Sequence, residues 1–448
     1  MQVFLFFKFC YNSDIMKKKY YLWVLGCQMN KSDAERIAAI LNKAGYQETK
    51  NELKADLIIT LACSVRQSAV DRIYGKYKVW QKIKKHRPLL TALTGCVLEK
   101  DKEKMSEIFD LFFTTAQMAK LPALLKKNGS ALAVKNYFQI HPVYQTSFQA
   151  YVPISTGCNN FCTYCVVPYV RGREKSRPAT EIIKECRDLI KQGYKEITLL
   201  GQNVNSYGHD LKTKQTFAEL LSKIAKLPGD FWLRFATSHP KDLNNDLIKV
   251  MANNKNICNY LHLPVQAGDN LILKKMNRKY TREHYIKLIK KVRKNIPDMS
   301  LSTDVIVGFP GETKKQFANT AKLFREIKFD MAYIAQYSPR PQTTAYNLKD
   351  NVSKTEKKRR EKVLNQILKK TALVNNKRLI GKTLEVLVES KKNNFYYGKT
   401  KTFKTVKFKS NLSSLTGKFV KINLTPGTWC WVQITKVQDF GLEGKICQ

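Results

Sequence analysis

Three cysteines stand within eight residues in the run TGCNNFCTYC, at positions 158, 162 and 165. Their thiolates are natural metal donors, and as a set they are one short. An iron-sulfur cluster is ordinarily held by four Cys and structural zinc by four donors. The C-x3-C-x2-C pattern of Cys158, Cys162 and Cys165 therefore points to a cluster with one iron left open to a small molecule. A zinc knuckle that borrows a distant fourth ligand is the alternative.

A second trio is spread along the chain. Cys27, Cys63 and Cys96 end the apolar runs YYLWVLGC, DLIITLAC and LLTALTGC, roughly 35 residues apart, which is about the size of one βαβ unit. Near-continuous apolar strands suit a parallel sheet buried on both faces. If the three strands are neighbours, their C-terminal ends share the edge where open α/β folds place ligands, and three thiols converge there. A buried Cys that packs as a small hydrophobe would explain any one of them. Three equivalent positions favour a second metal site.

The elements that must position the first trio begin near Tyr144. Strand-like runs YVPIST, KEITLLGQN, FWLRFATSHP, YLHLPVQAG, SLSTDVIVGFPG and DMAYIAQYSPRP alternate with helical patterns. One helix is predicted after Pro178 and Thr180, with Ile182, Ile183, Cys186, Leu189 and Ile190 at helical spacing, so Cys186 reads as core. Another opens at Thr313 and Gln316, a capping-box pair. Six βα repeats predict a parallel barrel or partial barrel with its chemistry at the C-terminal ends of the strands. The polar runs 201–206, 238–239, 266–269, 308–313 and 338–340 would then share one rim. His239 and His262 read as core or hydrogen-bonding residues ahead of ligands or acid-base groups. Arg171 and Arg173 either hold a carboxylate or phosphate or face solvent.

A long charged helix follows, opening with Ser353 and Glu356, and its charge run reads as a solvated face. From about Gly381 short alternating strands KTLEVLVES, NFYYGKTKTFKTVKF, GKFVKINL and TWCWVQITKV predict a small antiparallel barrel. Its Phe395, Tyr396, Tyr397, Lys399, Lys401 and Phe403 suit backbone contact and base stacking on a nucleic acid. An oligomerisation or docking barrel is the alternative.

Composition bounds these readings. The chain has 448 residues, enough for two or three cores, and a formal net charge of +43. That balance permits a polyanionic partner such as RNA, although Lys is spread along the whole chain and part of the excess is a compositional habit. Eleven Cys, odd in number and partly clustered, read as ligands in a reducing cytoplasm rather than as a disulfide framework. The first fifteen residues lack the layout of a signal peptide, and Met16 followed by three Lys reads as a more natural start, which makes residues 1–15 an extension or a disordered tail. No stretch approaches the roughly twenty apolar residues of a membrane span.

The motif CNNFCTYCVVPYVRG resembles the radical S-adenosylmethionine superfamily, and GCQMN, ACSVR and TGC ahead of it resemble the N-terminal part of methylthiotransferases. With LLGQNVNSYG, RFATSHP, LHLPVQAGD, STDVIVGFPGET and YSPRP, the chain is identified as a member of the radical S-adenosylmethionine methylthiotransferase family from about Lys17 to its end. It is most like the branch that acts on isopentenylated adenosine in tRNA.

The resemblance implies an N-terminal open parallel α/β domain over 17–140, a central partial (β/α)6 radical barrel over 144–375, and a TRAM-like RNA-binding barrel over 378–448. It implies that Cys158, Cys162 and Cys165 hold a [4Fe-4S] cluster whose open iron chelates S-adenosylmethionine for reductive cleavage to a 5′-deoxyadenosyl radical. By the same likeness Cys27, Cys63 and Cys96 hold a second [4Fe-4S] cluster that presents a sulfur. One S-adenosylmethionine methylates that sulfur, and a second supplies the radical that removes hydrogen from C2 of an adenine, so two are used per turnover. Gln202, Asn203, Gly308, Gly311 and Arg171 are the implied cofactor neighbours.

The implied substrate is an N6-isopentenylated adenosine just 3′ of the anticodon, in a loop where a base can be splayed out. Implied partners are an electron donor such as flavodoxin or ferredoxin and a sulfur donor or iron-sulfur carrier, with the enzyme a monomer in the cytoplasm. Two departures from the family pattern stand out. Leu61 and Ala62 replace the usual Asn-Thr before Cys63, and FFTTAQ replaces a Gly-containing turn near residue 114. Sister enzymes acting on threonylcarbamoyl adenosine or on a ribosomal aspartate stay as alternatives, as does a non-catalytic iron-sulfur RNA-binding protein.

Overall fold

The computed structural model describes residues 18–63, 67–125, 136–409, 411–413, 419–421 and 423–447. The reading of residues 1–15 as a tail, and of Met16 as the start, lies outside the described residues.

The apolar runs that end in cysteine form strands Lys19–Val24, Leu57–Cys63 and Leu90–Cys96, hydrogen-bonded side by side and parallel. Two-residue strands, Gln47–Glu48 and Leu111–Phe112, flank them at the edges, too short to carry a sequence signal. The FFTTAQ segment closes this sheet with a capping box, in which Thr114 and Gln117 start the short helix Thr115–Lys120 without a glycine turn.

Helix Gln28–Lys43 inverts the usual amphipathic logic. Ala34, Ile37 and Leu41 pack on the first sheet, while Asn30, Ser32, Asp33, Glu35 and Arg36 are equally buried. Their polar face meets a second body: Ser32 Oγ donates to the Tyr151 carbonyl at 3.3 Å, and the Gln145 amide donates to Glu35 at 3.2 Å.

That second body is a half-barrel. Strands Gln149–Pro153, Glu196–Leu200 and Trp232–Ala236 form one parallel sheet, and Tyr260–His262, Ser300–Val307 and Met331–Gln336 form another. A parallel bridge from Leu233 to Ile257 joins them, so all six predicted strands share one curved wall. Residues such as Val152, Leu199, Phe235 and Leu261 turn outward to the helix layer, which leaves Thr198, Arg234, Tyr260 and Asp304 to the lumen.

Helix Ala179–Lys191 begins where Pro178 predicts and buries Cys186 completely. Helix Lys314–Ile327 carries the expected Thr313–Gln316 capping box. The charged helix Lys354–Lys377 departs from a wholly solvated face. Leu364, Leu368 and Ala372 pack inward, and Lys357 and Arg360 go in with them because Asp350 and Glu312 await them there at 2.6 Å each.

Strands Thr383–Lys392, Phe395–Thr400, Thr405–Lys409, Leu442–Ile446 and Trp429–Val437 close a five-stranded barrel. Four seams are antiparallel and the one between Thr405–Lys409 and Leu442–Ile446 is parallel. An odd number of strands cannot alternate direction all the way round. The predicted strand GKFVKINL lies outside this barrel, where Phe419–Lys421 pairs with Asn411–Ser413.

The barrel docks by its 400–404 turn. Buried Arg234, paired with Glu196 at 2.6 Å, donates to the Thr400 carbonyl at 2.9 Å and the Lys401 carbonyl at 3.0 Å. Phe403 lies 4.7 Å from Tyr260, ring to ring. The turn therefore plugs the N-terminal end of the half-barrel's lumen.

Glu35 gives the first interface a pH signature. Burial pushes its carboxyl up from 4.5 to about 7, and its Oε2 has no hydrogen-bond partner among the described residues. A folded value above the unfolded one means that the stability it contributes is fully present below pH 4.5 and lost as pH rises through 7. Glu35→Gln is expected to flatten that loss and to leave the protein up to about 3 kcal/mol more stable than the parent at pH 8, read by urea denaturation across the range. An unchanged slope would refute the assignment.

Candidate active site

A two-residue antiparallel ladder, Ser155–Thr156 with Lys175–Ser176, brackets the loop that carries the clustered cysteines. Gly157 opens the loop at φ +81°, with the Arg173 carbonyl where a Cβ would sit. The Cys158 amide donates to the Gly172 carbonyl at 3.1 Å, and the Cys165 amide to the Cys162 carbonyl at 2.9 Å. Phe161 takes a left-handed φ of +47°, held by Asn277, whose Nδ2 donates to the Phe161 carbonyl at 2.9 Å and the Asn160 carbonyl at 3.2 Å. Arg278 follows directly and donates from Nη1 to the Cys162 sulfur at 3.4 Å.

Loop closure buries most of this sulfur. Burial pushes the Cys158 thiol upward and the Cys165 thiol to about 12, with the Cys162 charge adding to the latter. Thiols so reluctant to ionise need a cation to draw the proton off, which is what metal binding supplies.

The dispersed cysteines meet at the end of the first sheet. Cys63 and Cys96 are register partners on adjacent strands, and Cys27 caps the helix that follows the strand beside them. Asn30 ties the Cys27 and Cys63 segments together, donating from Nδ2 to the Ala62 carbonyl at 2.9 Å and the Leu61 carbonyl at 3.4 Å while its Oδ1 accepts from the Cys27 thiol at 3.8 Å. Those bonds use the backbone of Leu61 and Ala62, so replacing the family's usual Asn-Thr leaves them intact. Both side chains are buried in apolar clusters.

The two trios lie on one buried seam: Arg171, six residues past Cys165, crosses to the first sheet and donates from Nε to the Cys96 sulfur at 3.2 Å. Among the described residues no three His, Cys, Asp or Glu side chains stand where they could hold a single metal ion. A four-iron cluster binds each thiolate to a different iron, and six thiols in two open trios fit such clusters.

The predicted cofactor neighbours separate into different roles. Gln202 accepts from the Gly157 amide at 2.5 Å and so supports the cysteine loop. Asn203 donates to Asp242 at 2.7 Å and leaves a buried Oδ1 without a partner among the described residues. Gly308 and Gly311, both at positive φ, commit their amides to Glu312 at 2.6 Å and Asn351 at 2.8 Å. Arg171 neither faces solvent nor points along this rim, because it is buried against the first sheet.

The rim's clearest ligand signal is a shortage of partners. Ser155 Oγ, both side-chain polar atoms of Asn205, Ser238 Oγ and Gln266 Oε1 are buried without hydrogen bonds among the described residues, all beside strand C-terminal ends. Each unmet group costs about 1 to 3 kcal/mol, so the set is built for a polar guest. S-adenosylmethionine, with its amino, carboxylate and ribose groups, fits that chemistry. His239 stands nearby as a neutral group. Burial, with help from Arg278 and Lys241, pushes it down to about 2, and its Nδ1 accepts from the Lys241 amide. His262 shares a 2.8 Å hydrogen bond with Ser302 and lies 3.4 Å from Asp304 in the lumen.

The predicted nucleic-acid run of the small barrel divides by strand alternation. Tyr396 turns into the barrel core, while Lys399, Lys401 and Phe403 face the docking seam, Lys399 and Phe403 packing together over Arg234. Phe395 and Tyr397 stay on the outer face. Lys407 and Lys409 lie 4.1 and 5.2 Å from the Phe395 ring, and half-exposed Trp431 lies two strands away on Trp429–Val437.

Sequence reasoning missed Asn30, Asp33, Asn277 and Arg278. A single Asn, Asp or Arg in a helix or turn carries no pattern; only the fold brings Asn30 and Arg278 to a sulfur, Asn277 to the cysteine loop's carbonyls and Asp33 to Arg171.

Residues 152–324 match the family model described as the radical SAM superfamily, and residues 19–114 match the one described as Uncharacterized protein family UPF0004. The tRNA-2-methylthio-N(6)-dimethylallyladenosine synthase of Carboxydothermus hydrogenoformans is 43% identical over 92% of this chain and 97% of its own. Its counterparts in Thermoanaerobacter sp. (strain X514) and Acetivibrio thermocellus are 44% and 42% identical over 91% and 96% of this chain, and over 90% and 91% of theirs. Among solved structures, the radical S-adenosylmethionine methyltransferase TsrM from Kitasatospora setae shares the fold at a TM-score of 0.52 and 11% identity, over 74% of this chain and 77% of that one.

The crowding at Gly157 makes a direct test of the loop. Gly157→Ala is expected to lower the melting temperature by several degrees and to cut iron retained after anaerobic reconstitution by about half. Gly172→Ala, at φ +77° but with open space around it, should retain iron. Equal iron in parent and Gly157→Ala would show that the loop does not depend on that turn.

Proposed function

The chain belongs to the tRNA-2-methylthio-N(6)-dimethylallyladenosine synthase family of radical S-adenosylmethionine enzymes, and on that premise we propose that it adds a methylthio group to C2 of an N6-isopentenylated adenosine 3′ of the tRNA anticodon. The observation that carries the reading is the meeting of two open thiol trios across one buried seam, one on the half-barrel and one on the first sheet. Cys158, Cys162 and Cys165 would hold the radical cluster, and Cys27, Cys63 and Cys96 the auxiliary one. S-adenosylmethionine and the two [4Fe-4S] clusters supply the deoxyadenosyl radical and the methylated sulfur when bound.

The protein's own part is placement. Asn277 and Gln202 hold the loop that presents the first trio, and Asn203, Asn205, Ser238 and Gln266 offer unmet polar atoms to the cofactor. The 400–404 turn, held by Arg234, fills the N-terminal end of the lumen, at the opposite end of the strands from that site. Burial keeps His239 neutral, so it adds no charge beside those polar atoms.

The same reading takes residues 17–140, 144–375 and 378–448 as three functional units. It calls for an electron donor such as a flavodoxin or ferredoxin, a sulfur donor or iron-sulfur carrier, and a monomer working in the cytoplasm. No helix among the described residues is long and apolar enough to cross a membrane.

The deciding experiment is nucleoside mass spectrometry of tRNA from a host lacking its own enzyme. Expression of the chain should convert N6-isopentenyladenosine to its 2-methylthio derivative, and Cys162→Ala should abolish both the product and 5′-deoxyadenosine. A methylthio mark on threonylcarbamoyl adenosine instead would assign the chain to the sister activity, and no mark at all would leave an RNA-binding protein.

The outer face of the small barrel has its own test. Lys407→Gln combined with Lys409→Gln is expected to weaken tRNA binding at low salt and to reduce the slope of log affinity against log salt by about one per lysine. An unchanged slope would place the RNA elsewhere.

A further inference from the structure

Arg171 closes the short helix Val167–Val170, six residues beyond the last cysteine of the loop. Its side chain, 2% exposed, leaves the half-barrel and enters the cysteine edge of the first sheet. There Nη2 donates to Asp33 at 2.6 Å and to Asn30 Oδ1 at 3.4 Å, while Nε donates to the Cys96 sulfur at 3.2 Å. Asp33 is itself aligned from the other side by the Tyr137 hydroxyl at 2.8 Å. Nη1 is buried and has no acceptor among the described residues.

These contacts have an electrostatic meaning. A bare guanidinium in a dry seam would be costly, and Asp33 neutralises it. What remains is a fixed donor aimed at one sulfur, plus an unused pair of N–H groups beside it. Asn30, the other holder of Arg171, ties the Cys27 and Cys63 segments together, and Arg171 itself adds the Cys96 strand. Hydrogen bonds to the sulfurs of an iron-sulfur centre stabilise its more negative, reduced form and so raise its potential.

We propose that Arg171 is a positioning residue of the auxiliary site: its hydrogen bond to Cys96, with Nη1 open to a sulfide or substituent of the bound cluster, sets that cluster's charge state, and Asp33 holds it to that task. The inference rests on the reading that Cys27, Cys63 and Cys96 carry a cluster. Arg171 thereby belongs to the sulfur-supplying half of the enzyme even though it is encoded beside the radical loop.

The test uses the full chain with Cys158, Cys162 and Cys165 replaced by Ala, so that only the auxiliary centre is loaded, followed by redox titration read by electron paramagnetic resonance. Arg171→Met is expected to keep the iron and to shift the midpoint potential to more negative values. Asp33→Asn, which leaves the guanidinium charge uncompensated, should shift it to more positive values. If Arg171→Met fails to fold, Arg171→Lys carries the test, because it keeps the charge but loses the Nε donor and should move in the negative direction.

A residue that only glues the two bodies together would lower stability and leave the potential where it was. Unchanged potentials in loaded variants, or shifts of the same sign for Arg171→Met and Asp33→Asn, would overturn the proposal. A parent without iron in this background would instead refute the underlying cluster assignment.

Discussion

A guanidinium taken out of water must find its counter-charge, and in this chain it repeatedly finds it on a distant segment. Arg171 pairs with Asp33, Arg234 with Glu196 and Arg360 with Glu312, all at 2.6 Å and all with both partners buried. Such pairs add little net stability, since desolvation offsets most of the attraction. Their value is directional. A fork of donors satisfied at one orientation leaves charge unmet at any other, so these arginines fix how the first sheet, the half-barrel, the long helix and the small barrel meet. The half-barrel supplies a partner to every one of these contacts and is the hub of the molecule.

Much of this was legible in the sequence, and the reason differs by element. Strands ending in Cys27, Cys63 and Cys96 were readable because a strand buried on both faces is apolar throughout, and the abrupt change at its end is a strong signal. The six strands of the half-barrel were readable by a different signal, apolar outward residues alternating with polar lumen ones, each strand followed by a helical pattern. The burial of the polar face of helix Gln28–Lys43 was not, because Asn30, Asp33, Glu35 and Arg36 look like a solvent face until something covers it. Lys357 and Arg360 misled in the same way. Sequence pattern records polarity; it does not record which polar groups will be brought together.

The small barrel shows a second limit. Alternation in the run from Phe395 to Phe403 identified strands correctly, but a strand has two faces and the assembly gives each a different use. One side fills the barrel with Tyr396, another meets the half-barrel through Lys399 and Phe403, and the remainder stays available to a polyanion. The last strand, Leu442–Ile446, was invisible because LEGKI has too few apolar residues to stand out, and it persists only because the barrel cannot close without it.

The 400–404 turn seated against Arg234 gives the half-barrel a floor lent by the small barrel. The wall stays open along its side, where Tyr333 and Asp304 are exposed. A load on the small barrel's outer face is therefore borne by a turn whose carbonyls are held inside the lumen, so the two bodies shift together.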